Sequence, residues 1–419
     1  MKKISLLILF LSIILLTGCN FLGEEEETTV NVDVSNYIGI STVEDLKSMD
    51  INKSYELEND IDLNFEEWTP IGTYQRPFRG NFRGNDYTIS NLKITQNYDG
   101  YNGLFGNLDG NVENLNIVNF DINFTTDFLA NVGGLAGFSS GKITNVFVSG
   151  NIDIDSSNSN LYLGLLVGNA QTKLDDLVIA KEFKPNILSD NNASGTIIVS
   201  AEDIIYIGGL VGKAYNVKLN NNIINDLAVT VTKADSSSFI GGLIGHNFLY
   251  DVQTIEASLS VNKNLVYQNI VKAEFVINNK EDLSLGGLVG YNQNVILKTN
   301  FVTTDIEKVA EDRFDGVLAS YIGLLVGENW VADIDKNLTI NTNIIANFEA
   351  NNISTISGKL FESEILNSFY YLSEDDLGFD IQGDSVIYAD LLTDQFYSDN
   401  FSDIDNEFIS LIKSILLDE

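Results

Sequence analysis

The clearest pattern in the chain is a short motif of apolar residues and glycines that recurs seven times. When the copies are aligned on their final glycine, leucine stands two positions earlier and an apolar residue stands one position earlier. The leucines are Leu104, Leu135, Leu166, Leu210, Leu243, Leu288 and Leu325, and the final glycines are Gly106, Gly137, Gly168, Gly212, Gly245, Gly290 and Gly327. Successive final glycines are 31, 31, 44, 33, 45 and 37 residues apart. A repeat of this size is typical of a solenoid, a propeller or another repeat array.

The apolar positions of the motif do not follow the alternation of a simple strand. A third apolar position lies five residues before the final glycine, as Tyr101, Val132, Leu163, Ile207, Ile240, Leu285 and Ile322. Apolar residues therefore fall on both parities, whereas the side chains of a plain strand point alternately to its two faces. Glycine stands four positions before the final glycine in every copy but the first. We expect a bend or bulge there, because glycine tolerates positive φ and close backbone approach.

Short runs rich in valine and isoleucine follow the motif and predict further strands. After the first three copies these runs begin at Val112, Ile143 and Leu174. The two longest steps indicate inserted loops or extra strands at residues 181–195 and 251–270. Asparagine is frequent at the expected turns, as at residues 220–222, where stacked ladders and simple turn preference both explain it. A stack of β-coils fits this pattern, with a β-propeller as the alternative.

The repeat resembles the GLUG-repeat family, which is named for its Gly-Leu-hydrophobic-Gly core. The resemblance covers roughly residues 41–400, and the segments Trp68–Gly72 and Phe78–Phe82 match the lead-in that precedes the repeats in that family. Members occur on bacterial surface proteins, in adhesins, and beside some immunoglobulin-cleaving metallopeptidases. The resemblance implies an all-β fold, a right-handed parallel β-helix (β-solenoid) with short helical caps. It implies no catalytic residues, because the motif is architectural.

The N-terminus has the features of a bacterial lipoprotein signal. Lys2 and Lys3 precede an apolar run from Leu6 to Leu16, and residues 16–19 read Leu-Thr-Gly-Cys, as in a lipobox. We therefore predict a signal peptide at residues 1–18 and lipid on Cys19, which is the chain's only cysteine. The acidic stretch that follows predicts a flexible tether over residues 19–36. The predicted location is the extracytoplasmic face of the cell membrane.

Residues 37–419 are predicted to form the β-helix domain, closed by a helix at each end. Ser41 and Glu44 have the spacing of a capping box, which predicts a short N-terminal helix. From residue 404 to 417, apolar residues recur at helical intervals and predict a C-terminal capping helix. Such caps would cover the open strand edges at the ends of a solenoid.

The charge of the chain bears on its partners. Removing Lys2 and Lys3 with the signal peptide leaves 22 basic and 59 acidic residues, a net charge of −37. This balance argues against nucleic acid and against docking on anionic lipid by charge alone. It favours cations or basic partners, and a solvated acidic surface explains it equally well.

The sequence contains no coherent catalytic or metal-binding constellation. His246 is the only histidine and occupies a variable position after the motif, which predicts a surface residue without a catalytic or metal role. The zinc peptidase motif His-Glu-x-x-His is absent. Pairs such as Asp60 with Asp62 and Asp153 with Asp155 are numerous, but 59 acids produce such pairs by chance. We therefore predict no catalytic residues, no cofactor and no metal.

These observations predict a non-enzymatic surface protein that acts in adhesion or ligand binding, with an extracellular protein or a glycan as partner. The alternative is a polysaccharide lyase or hydrolase of the parallel β-helix type. It would use acids, with or without Ca²⁺, together with basic residues near Arg76, Arg79 and Arg83. That alternative depends on analogy of fold, which is a weak argument for function.

Overall fold

Parallel strands stacked in successive coils build most of the structure. The structure is a computed structural model and describes residues 33–172, 185–249, 264–308, 320–332, 334–346, 353–372, 380, 382–401, 404 and 406–417. The strand pairs in these residues are parallel and form one sheet of 21 strands and two sheets of eight strands. This is the predicted all-β fold, a parallel β-helix. It rules out the propeller, whose four-stranded blades are arranged around a central channel.

The strands are numbered β1 to β37 along the chain. They are Asp33–Ile40, Lys53–Leu57, Ile61–Asp62, Phe82–Arg83, Thr88–Ser90, Lys93–Ile94, Tyr101–Asn102, Phe105–Leu108, Val112–Thr126, Ala130–Val132, Ala136–Ser139, Ile143–Ser156, Leu161–Gly164, Val167–Gln171, Asn186–Ser189, Asn192–Ala201, Ile205–Gly208, Val211–Tyr215, Val217–Asn220, Ile223–Ala234, Ser238–Gly241, Ile244–Phe248, Asn264–Tyr267, Ile270–Asn279, Leu283–Gly286, Val289–Gln293, Ile296–Lys298, Phe301–Lys308, Ser320–Gly323, Val326–Trp330, Ile334–Asp335, Leu338–Ala346, Ile353–Ser354, Ser357–Phe361, Ile365–Leu366, Phe369–Leu372 and Asp384–Ser385.

Four helices are described: α1 (Val43–Lys47), α2 (Tyr388–Leu391), α3 (Asp394–Asn400) and α4 (Asn406–Leu417). None of these helices is both long and apolar enough to cross a membrane. The predicted signal peptide, Cys19 and most of the predicted tether lie outside the described residues. β1 begins at Asp33, so residues 33–36 belong to a strand and not to the tether predicted there.

From β7 onward, eight of the described coils contribute strands to three sheets, which we call the long sheet, sheet II and sheet III. The long sheet has 21 strands, sheet II runs from β7 to β33, and sheet III runs from β8 to β34. Two residues of each motif join a strand of sheet II to a strand of sheet III, as Gly209 and Leu210 join β17 to β18; they are Gly-Leu in five copies and Leu-Leu in the third and seventh. All seven motif leucines are fully buried in the continuous core between the sheets.

The motif glycines are needed for close packing and not for an unusual backbone conformation. Among the described glycines only Gly72, Gly100, Gly195 and Gly383 have positive φ, and none of them belongs to the seven motifs. A Cβ on Gly209 would lie 2.1 Å from the carbonyl oxygen of Gly242 in the next coil and 2.7 Å from Cδ2 of Leu227 on the long sheet. Of the two glycine properties considered from the sequence, close backbone approach and not positive φ is therefore the reason for glycine.

The motif occurs in more coils than the seven aligned in the sequence. Ile356 accepts the backbone hydrogen bond of Leu325, and Ser357 pairs with Val326, so residues 354–358 form an eighth copy with isoleucine in place of leucine. At the other end, Ile71 forms a bridge with Phe105. The first copy is also one residue shorter than the others: Asn102, not Tyr101, pairs with Val132, and the side chain of Asn102 is buried.

The third coil differs from the sequence alignment. In the coil after β12, the strands that pair with it are β15 and β16 (Asn192–Ala201), whereas the predicted strand beginning at Leu174 lies outside the described residues. β15 and the start of β16 lie within the predicted insertion 181–195 as ordinary strands of the coil. Most of the second predicted insertion, 251–270, lies outside the described residues, and the remainder contains β23 and the start of β24.

The N-terminal helix begins one residue later than predicted. Thr42, not Ser41, is the N-cap residue of α1, and its side chain accepts a hydrogen bond from the backbone of Asp45. The carboxylate of Asp45 accepts from the backbone of Thr42 and completes the capping box, so Glu44 takes no part in it. The prediction failed because both Ser41 and Thr42 are followed three residues later by an acid.

The C-terminal helices lie against the outer side of the long sheet, which corrects the prediction of a cap on the last coil. Ile412 and Phe401 pack with Ile270, Phe301 and Leu338, which belong to three successive coils. The side chains that the helices cover form one outward column across the register of the long sheet: Ile223, Ile270, Phe301, Leu338 and Phe369. The corresponding positions in earlier coils are Thr88, Asn116, Phe147 and Asn192, of which Phe147 alone is apolar. The column is thus apolar where the helices cover it.

Candidate binding surface

Outward side chains of sheets II and III meet along the line where the two sheets join. The ring of Tyr206 on sheet II lies 5.6 Å from the ring of His246 on sheet III, and Phe239 lies 5.7 Å from the same ring. Side chains on the outer faces of two sheets can touch only if those faces turn toward each other. The outer surface is therefore concave along this line.

We call this line of side chains the aromatic corner. It comprises Tyr101, Tyr162, Tyr206, Phe239 and Tyr321 from sheet II, with Phe138, Lys213, His246, Tyr291, Glu328, Trp330, Lys359 and Phe361 from sheet III.

The two halves of the corner interdigitate with an offset of one coil. Phe138 on sheet III contacts Tyr101, which lies one coil earlier on sheet II, at a ring distance of 6.4 Å. Tyr291 likewise contacts Phe239 at 5.8 Å. A hydrogen bond shows the same offset: Ser284 on sheet II donates from Oγ to Glu328 on sheet III in the following coil. The corner is therefore a repeated arrangement and not a chance cluster of rings.

Along the axis, rings in successive coils stack on one another. Tyr162 and Tyr206 are 4.8 Å apart and nearly parallel, at 2°, and Phe239 continues the stack at 5.2 Å. On sheet III, His246 stacks with Tyr291 at 5.0 Å. Stacked aromatic pairs are worth about 0.5–1.5 kcal/mol beyond their buried area. The corner consequently contributes to stability as well as presenting ring edges at the surface.

The position of His246 corrects the prediction of a plain surface residue. Its ring is packed among Tyr206, Phe239 and Tyr291, and its Nδ1 is buried without a hydrogen-bond partner in the described residues. Burial, and secondarily the nearby charge of Lys213, lowers the pKa of His246 to about 3. The imidazole is therefore neutral at physiological pH. The sequence could not reveal this, because it shows only that the position varies between coils.

The charged groups of the corner differ in their surroundings. Glu328 accepts hydrogen bonds from Ser284 and from Trp330 Nε1 at 3.3 Å, and it lies 3.5 Å from Lys359 Nζ. The ammonium of Lys359 also lies over the rings of Tyr321 and Trp330, at 4.5 and 4.7 Å. Lys213 lies 5.6 and 5.5 Å from the ring centres of Tyr162 and Tyr206.

Burial changes the titration of several corner groups. It lowers the pKa of Lys213 and raises the pKa of Tyr206. The pKa of Tyr291 is also raised, by burial first and by Glu328 second. These directions follow from the cost of a charge in a poorly hydrated site. Both tyrosines therefore remain neutral at physiological pH.

The three arginines near the N-terminus have different surroundings. Arg83 forms an ion pair with Glu113 at 2.7 Å, and its guanidinium lies 3.9 Å from the ring centre of Tyr37. Arg79 donates to Asn52 at 3.5 Å, and Arg76 is exposed. Trp68, at the start of the lead-in segment, is buried and donates from Nε1 to the carbonyl of Leu104 at 3.0 Å.

The predicted carboxylate pairs have ordinary structural partners. Asp62 accepts hydrogen bonds from the backbone of Asn64 and the side chain of Asn91, which lower its pKa. Burial, with the charges of Asp155 and Asp121, raises the pKa of Asp153. Within the described ranges, no three or more His, Cys, Asp or Glu side chains are grouped so as to hold a metal ion.

Comparison with known proteins gives limited similarity. No family model matches the chain. Halomucin of Haloquadratum walsbyi is 34% identical over 143 residues, which cover 29% of this chain and 2% of that protein. The chain thus spans a very small part of the length of this relative. A crystal structure of a candidate immunoglobulin A1 protease from Bacteroides ovatus aligns over 79% of this chain and 84% of that one, with a TM-score of 0.43 and 15% identity.

Proposed function

We propose that the protein is a non-enzymatic, lipid-anchored surface protein that binds an extracellular ligand along the aromatic corner. The observation that carries this proposal is the corner itself, a line of half-buried rings on the outside of successive coils, separate from the internal core. Tyrosine and tryptophan supply large contact areas with little loss of side-chain entropy, and they dominate many binding surfaces.

Binding is favoured over cleavage by the state of the charged groups. Arg83 is already engaged with Glu113 and Tyr37, and Glu328 is held by Ser284, Trp330 and Lys359. A catalytic acid or base must be within reach of the substrate and have a pKa suited to proton transfer. Polar groups that are held in this way are better suited to fixing a ligand than to exchanging protons with it.

The proposal is tested with the chain from residue 20 onward, produced without lipid. It is incubated with neutral and acidic polysaccharides, with and without Ca²⁺, and with an array of extracellular proteins. We expect saturable binding without depolymerisation. Changing Tyr291 and Trp330 to alanine should weaken binding at least about tenfold, because interface aromatics contribute most to affinity. The matched control is Tyr267→Ala, which removes a half-buried tyrosine from the long sheet.

Two results would overturn this proposal. One is reproducible depolymerisation of a polysaccharide that is lost when Arg79 or a neighbouring acid is changed. The other is a ligand that binds the double variant and the wild type equally well.

The anchor has its own test, because it depends on the sequence alone. Cys19→Ser should abolish lipid labelling and move the protein from the detergent phase to the aqueous phase. A chain that still incorporates lipid after this change would contradict the anchor and leave the binding proposal unaffected.

A further inference from the structure

Lys213 is half-buried and differs from the ion-paired lysines of this acidic protein. Lys359, Lys233 and Lys272 each lie within 4.0 Å of a carboxylate. Lys213 forms no ion pair with any residue that the structure describes, and burial is what lowers its pKa. Its neighbours are the rings of Tyr162 and Tyr206 and the neutral ring of His246. Removing a cation from water without an opposite charge is unfavourable, so a bound anion would offset a cost already present.

Two further features lie near Lys213: the ring of Tyr162, and an amide oxygen of Asn131 that has no hydrogen-bond partner in the described residues. Tyr162 ends the stack of Tyr206 and Phe239, because its register partner in the preceding coil is Asn131 and not an aromatic residue. One face of Tyr162 is therefore not covered by a ring of the preceding coil. Asn131 is 2% exposed, and its Oδ1 has no hydrogen-bond partner within the described residues.

We infer that this part of the corner binds an acidic glycan, with Lys213 Nζ donating to a sugar carboxylate while the sugar ring packs against Tyr162. This inference rests on the proposed binding function and names its ligand class. Asn169, the register partner of Lys213 on sheet III, is half-buried and carries an amide that both donates and accepts hydrogen bonds, as sugar hydroxyls require. Asn131 is buried instead, and its Nδ2 already donates to the carbonyl of Gly100 at 2.9 Å. A protein carboxylate on a flexible aliphatic stem would leave the ring face and the amide of Asn169 unused.

The overall charge of the protein opposes a polyanion only at long range. At physiological salt the Debye length is about 8 Å, so acids elsewhere on the surface are largely screened. The acid within the corner, Glu328, belongs to a coil three repeats further along and is paired with Lys359. A charge-assisted hydrogen bond in a partly desolvated site is screened much less.

The test uses pairs of probes that differ only in the carboxylate. Oligogalacturonate is compared with its methyl ester, and a sialylated oligosaccharide with its carboxyl-reduced form, which separates uronate from sialate as the source of the carboxylate. Binding is measured by titration calorimetry. We expect wild type to bind the acid of at least one pair about tenfold more tightly than its neutral form. Lys213→Met should bring this affinity ratio close to one without weakening the binding of the neutral form. Lys213→Arg should retain the preference for the acid.

Lys218→Met is the matched control, because Lys218 lies 4.9 Å from the ring of Tyr267 on the long sheet and is not part of the corner. It should leave the ratio unchanged, and circular dichroism should show that all variants are folded. The inference is overturned if wild type binds acid and neutral forms equally, if Lys213→Met keeps the preference, or if no glycan binds. Binding of a neutral glycan or a protein that depends on Tyr291 and Trp330 would leave the proposed function standing while this inference fails.

Discussion

The side chain of Asn222 donates a hydrogen bond from Nδ2 to Oδ1 of Asn269 at 3.0 Å, and the backbone N–H of Asn222 donates to the same oxygen at 3.0 Å. Asn269 repeats both bonds with Asn300, and Asn300 repeats them with Asn337. All four side chains are at most 1% exposed. Of the two sequence explanations for the asparagines near residue 222, the stacked ladder is the correct one for this position.

The ladder predicts a measurable cost for one apolar substitution. Asn269→Leu removes the acceptor of two buried donors of Asn222, and each donor left unpaired costs about 1–3 kcal/mol. Leucine is a fair test of the hydrogen bonds, because Leu115 and Val146 occupy the same register position in earlier coils. Chemical denaturation should show the loss. Asn123→Ala removes an exposed asparagine and should change the free energy of unfolding by less than about 0.5 kcal/mol.

Close approach between coils predicts that Gly209→Ala is destabilising. The new Cβ would lie 2.1 Å from a backbone oxygen, which cannot move without shifting the next coil. Overpacking of this kind costs about 1–3 kcal/mol, visible as a lower melting temperature. Gly39→Ala is the control, because there the nearest atoms belong to the flexible side chain of Glu58. Equal melting temperatures for the two variants would show that the coils can separate at little cost.

His246 predicts a specific pH dependence. Its folded-state pKa of about 3 lies below the ordinary value of 6.5, so between these values the unfolded state binds the extra proton. The contribution of His246 to stability is therefore complete above about pH 6.5 and is lost as the pH falls toward 3, with a slope of at most about 1.4 kcal/mol per pH unit.

Comparison with His246→Phe isolates this contribution, because the carboxylates titrate in both chains. The variant should lose less stability than the wild type between pH 6 and 4. In an untagged chain, NMR should show that the only histidine does not titrate between pH 5 and 8. A midpoint near 6.5 would contradict the buried ring.

The position of the C-terminal helices predicts which strands lose protection when the contact of α4 with the long sheet is disrupted. Ile412→Asp places a charge against Phe301 and Leu338 and should detach α4 from the long sheet. Hydrogen exchange should then become faster in β28 and β32, whereas β9 and β12 should keep their protection. The exposed control on the same helix is Ser410→Asp. Faster exchange confined to the last coil would instead support an end cap.

The sequence by itself determined the repeating unit, because the constraint that produces it is local. In the seven aligned copies a buried leucine stands close to glycines whose added Cβ would collide with neighbouring backbone, and leucine and glycine recur in a fixed spacing that can be read directly. The same locality revealed α1 and α4 from capping residues and helical periodicity. It did not reveal the copy at Ile356, where isoleucine replaces the leucine, or that the first copy is one residue shorter than the others.

Only the tertiary structure decided which outward positions meet. Periodicity shows that Tyr206 and His246 point away from the core, but the angle between sheets II and III determines that their rings pack together. Likewise Ile270 and Phe301 become one apolar column only through the register of the long sheet, since insertions of different length separate them from the motif in the sequence. The partner of α4 and the isolation of Lys213 depend on these same three-dimensional relations. No spacing along the chain encodes them, because each arises from contacts between coils whose separation in sequence varies.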